Sequence, residues 1–372
     1  MGKIYTALGL MSGTSMDGID ASIIKSNGDD KYEVILDQYF EYEEEIYKNL
    51  VDIRNKINTS EDLEVNSTAL AEIERKITLF HASVCKQIIS KNSNNIDLIG
   101  FHGQTIFHNA DKKISKQLGD AHLLSGLLKK KVVYNFREND MLNGGQGAPL
   151  APIFHQLLVN QNQIMLPVYI LNIGGIANIT LVSSKNFEDL KSYDIGPGNC
   201  LLDEWTRKKS KEKFDKNGEI AKVGKTDKII LNQAIDNFDY IKNNNKLSFD
   251  IKDFDLNFVR GLSLEDGLST LTDFTAITIY QSIINLNKYA KLNILICGGG
   301  RKNLFLLESI KSKLPSNMKL SLIDDYKING DFVESQAFAY LAIRSYLKKI
   351  ISLPKTTNVN IPCSGGTLIK NY

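Results

Sequence analysis

The sequence predicts an α/β protein of two domains, and three observations carry that prediction. Strand-like and helix-like periodicities alternate from end to end, the pattern of an α/β fold rather than an all-α or all-β one. At 372 residues the chain is long enough for two domains that each bury a core. Two strand, glycine-turn, strand units, at 4–25 and 168–182, open two halves of similar content, a weak internal duplication. An apolar strand, a ligand-like turn and a second strand are what two facing nucleotide-clamping domains would need.

Three β-prone runs come first, at about 3–10, 19–25 and 32–42, close enough in sequence to be antiparallel neighbours. A helix is expected over roughly 60–92, where Leu63, Ala69, Ile73, Ile77, Phe80, Val84 and Ile88 keep helical spacing. IDLIGF (96–101) and KVVYNF (131–136) read as buried strands. After a glycine-rich loop at 143–147, a helix is expected at about 149–159 with Pro149 early in it. VYILNIGGIANITLV (168–182) reads as two strands around a glycine turn, followed by a strand ending near Asp194 and a helix from Cys200 capped by Asn199. Residues 209–262 form a less regular insertion, with Asn217 to Asn245 facing the surface on short helices. A long helix at about 263–289, the strand in NILICGGG (293–300), a helix from Asn303, a strand near 319–323 and a helix at about 332–351 close the chain. The expected domains are 1–132, with 345–372 packing back on it, and 133–344.

Composition excludes several classes of function. Lys+Arg 45 against Asp+Glu 43, a formal charge of +2, makes no electrostatic case for nucleic acid or an anionic membrane as partner. The expected ligand is small. Cys85, Cys200, Cys297 and Cys363 lie far apart, so neither a zinc site nor a disulfide framework is expected. MGKIYTALGL lacks the basic and apolar regions of a leader, and no apolar run approaches ~18 residues, so a cytoplasmic protein is expected. GEIAKVGKT (218–226) nearly spells a P-loop, but five residues separate Gly218 from Gly224 and no buried strand precedes it. No G-x-G-x-x-G opens a helix after a first strand, which leaves a dinucleotide fold unsupported.

Three glycine turns follow three apolar strands. In GLMSGTSMDGID, Gly13, Thr14, Ser15, Met16, Asp17, Gly18 and Asp20 make more of a turn than a hairpin needs. Its N–H groups and hydroxyls suit phosphate oxygens, and Asp17 or Asp20 could hold Mg²⁺ directly or through water. Asn172, Gly174, Gly175 and Asn178 form a second turn, and Gly298, Gly299 and Gly300, with Asn303 following, a third where a purine could lie against bare backbone. Each alone could be a plain tight turn. Together they point to ATP.

Polar clusters supply the rest. FHGQTIFH puts His102, Gln104, Thr105 and His108 at a chain reversal after a strand, suited to sugar hydroxyls or a carboxylate. NFRENDMLNGGQGAPLAPIFH brings Arg137, Asp140, Gln146 and His155 around a glycine loop; Arg137 suits a carboxylate or phosphate, with a buried salt bridge to Asp140 as the alternative. In SYDIGPGNCLLDEW, Asp194 precedes the rigid turn from Gly196 to Gly198, well held for general-base work or for turn capping. Glu334 could cap the last helix or accept from a hydroxyl.

These motifs, with CGGGRKN and GDFVESQAFAYLA, stand in an order that resembles the anhydro-N-acetylmuramic acid kinase family over nearly the whole chain. The resemblance implies a two-domain hexokinase/Hsp70/actin-like fold, duplicated ribonuclease-H-like domains with a central ATP and substrate cleft. It further implies ATP and Mg²⁺ as cofactors, an amino-sugar substrate, and hydrolytic opening of 1,6-anhydro-N-acetylmuramic acid to N-acetylmuramic acid 6-phosphate in cell-wall recycling. A homodimer stays open. By the same resemblance Gly13 to Asp20, Gly174, Gly175 and Gly298 to Gly300 fall in the nucleotide segments. Asp194 matches the water-activating base, and His102, Gln104, Arg137 and Glu334 fall in the substrate-side motifs. Three positions depart from the family pattern in the basic stretch, Asn135, Glu138 and Asn139, and Ile195 removes a hydroxyl beside the proposed base. The competing functions are a hydroxyl kinase of the same superfamily without ring hydrolysis and a catalytically silent nucleotide-binding regulator.

Overall fold

The computed structural model describes residues 2–242, 249–286, 288–289 and 291–372. They gather into two compact units, one of residues up to Ile164 with Lys185–Lys191 and Phe332–Tyr372, the other of Met165–Ser184 and Ser192–Asp331.

In the first unit, β1 (Tyr5–Ser12), β2 (Gly18–Ser26) and β3 (Tyr32–Glu41) form the expected antiparallel meander. Then come α1 (Glu44–Lys56), α2 (Ser60–Val65) and α3 (Ser67–Ser90). β4 (Leu98–Asn109) lies parallel beside β1, and β5 (Ile114–Leu118) folds back antiparallel on its far end. After α4 (Ala121–Leu128), β6 (Lys131–Tyr134) adds parallel to β4, followed by α5 (Glu138–Leu142) and α6 (Pro152–Gln161).

The second unit opens with β7 (Val168–Ile173), β8 (Ile176–Val182) and β9 (Lys191–Pro197). α7 (Cys200–Lys209), α8 (Glu219–Val223), α9 (Lys228–Lys242) and α10 (Leu264–Leu286) lead to β10 (Leu292–Cys297), α11 (Leu304–Lys313) and β11 (Met318–Leu322). The chain then returns to the first unit with α12 (Val333–Tyr346), α13 (Pro354–Thr357) and β12 (Thr367–Ile369), which pairs with β6.

The two sheets repeat one plan. Their orders are β12-β6-β4-β1-β2-β3 and β11-β10-β7-β8-β9. In both, the unit's first strand is antiparallel to its second and parallel to the next strand of the sheet on its other side, which is in turn parallel to the one beyond. This is the duplicated ribonuclease-H-like plan of the hexokinase/Hsp70/actin fold. Strands such as VYILNI of β7 are buried throughout, as parallel central strands are when both faces are covered. In the first unit α12 is one of the covers, seated where Gly9 and Gly100 present no side chain. A Cβ at Gly9 would lie 1.9 Å from the Ser335 carbonyl oxygen, and one at Gly100 2.2 Å from that of Phe338.

Several expectations need correction. The helix expected over 60–92 is two, and α1 precedes it. Pro149 lies outside α6, which starts at Pro152; Ala148–Pro149 is a cis bond in the approach loop. β9 does not end at Asp194 but runs on to Pro197. The insertion is not merely surface: Leu231, Ala234 and Phe238 of the 15-residue α9 enter the second core, because that face has apolar spacing. Residues 243–245 of the same expectation lie outside the described residues. Helix α12 stops at Tyr346 rather than near 351. The first unit keeps residues 133–164, expected in the C-terminal domain, because β6 pairs with β4 and Phe136 and Leu150 share a core with α12.

Candidate active site

The first glycine turn joins β1 to β2 and is built from beneath. Met16 takes the left-handed conformation, φ 59°, and is buried, so the turn is anchored by its one apolar side chain. The Gly13 carbonyl accepts from the Met16 N–H (3.2 Å) and from Gln104 Nε2 (2.9 Å). Arg54 Nη1 donates to the Thr14 carbonyl (2.8 Å), and Ser15 Oγ donates to Asp17 Oδ1 (2.7 Å). Under the turn, Ser12 Oγ contacts Tyr42 OH (2.9 Å) and His81 Nε2 (3.3 Å). His81 Nδ1 faces the Ile77 carbonyl at 2.8 Å, an acceptor only, so Nδ1 carries the proton and Nε2 accepts from Ser12. Burial lowers the His81 pKa to about 4, which keeps this network neutral.

Beside the turn stands the FHGQ segment of β4. Gln104 is fully buried, and its Oε1 has no hydrogen-bond partner. His102, 5% exposed, holds the Gly103 carbonyl through Nδ1 (2.8 Å) and meets Arg137 Nη2 at Nε2 (2.9 Å). Burial, and then the Arg137 charge, lower the His102 pKa to about 3. Thr105 instead accepts from Gln117 (3.4 Å), His108 Nδ1 meets Ser115 Oγ (2.9 Å), and the backbone N–H of Gln146 donates to the Thr357 carbonyl (2.6 Å). His155 is buried within α6, away from solvent. Glu334 lies in the first turn of α12, next to Ser335, whose hydroxyl meets Ser22 Oγ at 2.6 Å.

The second unit gathers its own set. The carbonyls of Gly174 and Gly175 accept from the N–H groups of Asn199 (2.8 Å), Gly198 (2.9 Å) and Cys200 (3.1 Å), which ties the second turn to the segment following Asp194. Asn172 pairs with Asn178 across the hairpin and with Cys297 on β10, so the third turn lies next to the second. Asn199 does not cap α7 with its side chain; Nδ2 donates to the Ile173 carbonyl (3.3 Å). Asn303 caps α11, accepting from the Leu306 N–H (3.0 Å). Asp194, half-buried on β9, accepts from the Phe249 N–H at Oδ2 (2.9 Å).

The glycines sort into two kinds. Gly18, Gly198, Gly298 and Gly300 are demanded by packing, since a Cβ there would sit between 2.3 and 2.4 Å from a neighbouring atom. Gly196 has φ +147° and packs on Phe238 and Thr278. Gly13, Gly174 and Gly299 differ: a Cβ would meet nothing nearer than 3.8 Å, 3.5 Å and 4 Å respectively, and none has a left-handed φ. Each of the three turns therefore holds one glycine that neither packing nor conformation requires. Bare backbone open to an incoming group is what remains.

Among the described residues no group of three or more His, Cys, Asp or Glu could hold a metal alone. Asp17 and Asp20 fit the weaker demand of Mg²⁺, one or two carboxylates beside substrate phosphates. Sequence reasoning missed Tyr42, Arg54 and His81, which support the first turn from distant positions, Thr357, which holds the 143–147 loop, and Ser12, which stands within the first turn's own motif. No helix among the described residues is long and apolar enough to cross a membrane.

A family model described as anhydro-N-acetylmuramic acid kinase matches residues 5–371. An anhydro-N-acetylmuramic acid kinase of Pelagibacter ubique is 67% identical over all of both chains, and one of Zymomonas mobilis is 35% identical over 97% of this chain and 99% of its own. A solved structure, the activator of 2-hydroxyisocaproyl-CoA dehydratase from Clostridium difficile with bound ADPNP, overlaps 91% of this chain and 94% of its own with a TM-score of 0.42 and 11% identity. On the full-length family match and these identities, the chain belongs to the anhydro-N-acetylmuramic acid kinase family.

Proposed function

We propose that the protein is an ATP-dependent kinase that opens 1,6-anhydro-N-acetylmuramic acid with water and phosphorylates its O6, giving N-acetylmuramic acid 6-phosphate. The observation that carries this is the set of three glycines, Gly13, Gly174 and Gly299, whose missing side chains serve no packing purpose. In this reading the Gly13–Asp20 and Gly174–Gly175 turns take phosphate oxygens on backbone N–H groups, and the Gly298–Gly300 turn takes the adenosine. Asp17 and Asp20 would hold Mg²⁺ through water, and the ion would neutralise charge on the transferring phosphoryl group.

Asp194 is the general base. It removes a proton from the water whose oxygen bonds to C1 of the sugar, the C1–O6 bond breaks, and O6 takes the γ-phosphoryl group as ADP leaves. An inverting glycosidase needs a second carboxylic acid to protonate the leaving oxygen. Here phosphoryl capture replaces that proton, so one carboxylate suffices. The Phe249 N–H donates to Asp194 Oδ2 and helps to fix the direction of the carboxylate. Arg137 and Glu334 would contact the sugar, Arg137 at its anionic group.

Incubation with ATP and the anhydro sugar in ¹⁸O-labelled water tests the reading. The expected product carries a 6-phosphate and label at C1. A phosphorylated product without label supports a simple hydroxyl kinase, and no ADP at all supports the silent regulator.

A further inference from the structure

We propose that Asp140, His102 and Thr357 are positioning residues that together orient the Arg137 guanidinium for the sugar's anionic group, so that the strap of residues 354–366 sets sugar affinity. This rests on the reading of Arg137 given above. Arg137 stands half-buried at the start of α5 and is held from two sides. Its Nη1 donates to the Gly147 carbonyl (2.7 Å) and its Nη2 to His102 Nε2 (2.9 Å). Two N–H bonds from different nitrogens fix the plane of the group, and that plane decides how it meets a carboxylate.

Each holder is itself held. His102 can accept only because its proton sits on Nδ1, toward the Gly103 carbonyl; an imidazolium would offer Arg137 no lone pair. On the other side, the Gly147 N–H donates to Asp140 Oδ2 (2.6 Å), and Oδ1 accepts from the Thr357 hydroxyl. Asp140 is 1% exposed. A carboxylate three residues from an arginine would ordinarily be read as its ion-pair partner, but these bonds direct one oxygen to the loop and the other to the strap. The loop is shaped around it: a Cβ on Gly145 would lie 2.2 Å from Asp140 Oδ2, and Gly147 has φ +73°.

The strap fastens the loop further. Thr357 accepts the Gln146 N–H on its carbonyl (2.6 Å), the Asn360 N–H donates to the Asn143 carbonyl (3.2 Å), and Asn139 Nδ2 donates to the Ser364 carbonyl. A hydroxyl 220 residues away in sequence, 357 against 137, thus reaches the guanidinium through Asp140 and Gly147.

The test is the Michaelis constant for each substrate in variants that keep the fold. Thr357→Val deletes only the hydroxyl at nearly constant volume. It is expected to raise the sugar KM about tenfold, the scale of one hydrogen bond to a charged group, and to leave the ATP KM unchanged. Thr357→Ser is expected to restore it. His102→Leu, which removes the other holder, is expected to give the same split and serves if the Thr357 variants misfold. In an Arg137→Ala background, Thr357→Val should add nothing. Equal rises in both KM values, or additivity with Arg137→Ala, would overturn the proposal. An unchanged sugar KM in Arg137→Ala alone would instead overturn the role given to Arg137 itself.

Discussion

Asp194 and Ile195 are neighbours on β9, and a strand sends successive side chains to opposite faces. Ile195 is 1% exposed and packs in the core of the second unit, so the hydroxyl it lacks would not have faced the water-side surroundings of Asp194. The departure from the family pattern at this position concerns packing, which corrects the expectation from sequence. Asn135 and Glu138 also settle between themselves, Asn135 Nδ2 donating to Glu138 Oε2 at 2.6 Å, while Asn139 turns to the C-terminal strap. Asp194→Asn keeps an oxygen for the Phe249 N–H but loses the base. Turnover is expected to fall at least ~10²-fold, the low end for a general base, with ATP binding by calorimetry retained. Near-normal turnover would remove Asp194 from the role.

At the scale of the element, the turns after β1, β7 and β10 each hold a glycine that packing does not demand, and the third adds Gly298 and Gly300, which it does. Paired substitutions in the third turn separate these causes. Gly300→Ala puts a Cβ 2.3 Å from Ile173 Cγ2 and should cost about 1–3 kcal/mol, read as a lower Tm. Gly299→Ala meets nothing within 4 Å, so its Tm should hold while the ATP KM rises. An unchanged ATP KM would take this turn out of the nucleotide site. The turns were legible in sequence because strand, glycine and strand are local signals. Helix α1 was missed although its buried residues Ile46, Leu50 and Ile53 stand at the helical spacing i, i+4, i+7. Strand β5 was not legible, since its ISKQL is too short and polar to announce a strand and forms because β4 offers it an edge. The roles of His102 and Asp140 were illegible for another reason: a residue type fixes what a side chain can donate or accept, whereas its partner is set by the fold. Thr357 gave no signal at all, standing at the end of the four-residue α13, far from the motif it supports.

Over the whole molecule, two units of one strand plan differ sharply in where their titratable groups are buried. All five histidines, His81, His102, His108, His122 and His155, fall in the first unit. Burial lowers four of them from the ordinary 6.5, His81, His108 and His155 to about 4 and His102 to about 3. As pH falls below 6.5 the unfolded chain binds protons that the folded unit refuses, so stability is lost from 6.5 down through the folded values. By pH 4 the sum is on the order of 10 kcal/mol, comparable with the whole stability of a domain. Asp37 and Asp140, raised by burial, work in the opposite sense over part of that range and offset some of it. In the second unit Asp273, Asp324 and Asp331 are lowered by their hydrogen bonds and by Lys313, Arg301 and Lys302, against the cost of burial. Their contribution is present above the ordinary carboxylate value of 3.8 and is lost only as pH falls through it. The first unit should therefore unfold between pH 6.5 and 4 while the second persists to lower pH. Trp205, the single tryptophan, is buried in the second unit and reports on it alone. In an acid titration far-UV circular dichroism should fall first, with Trp205 fluorescence still native; coincident transitions would show that the two units unfold as one.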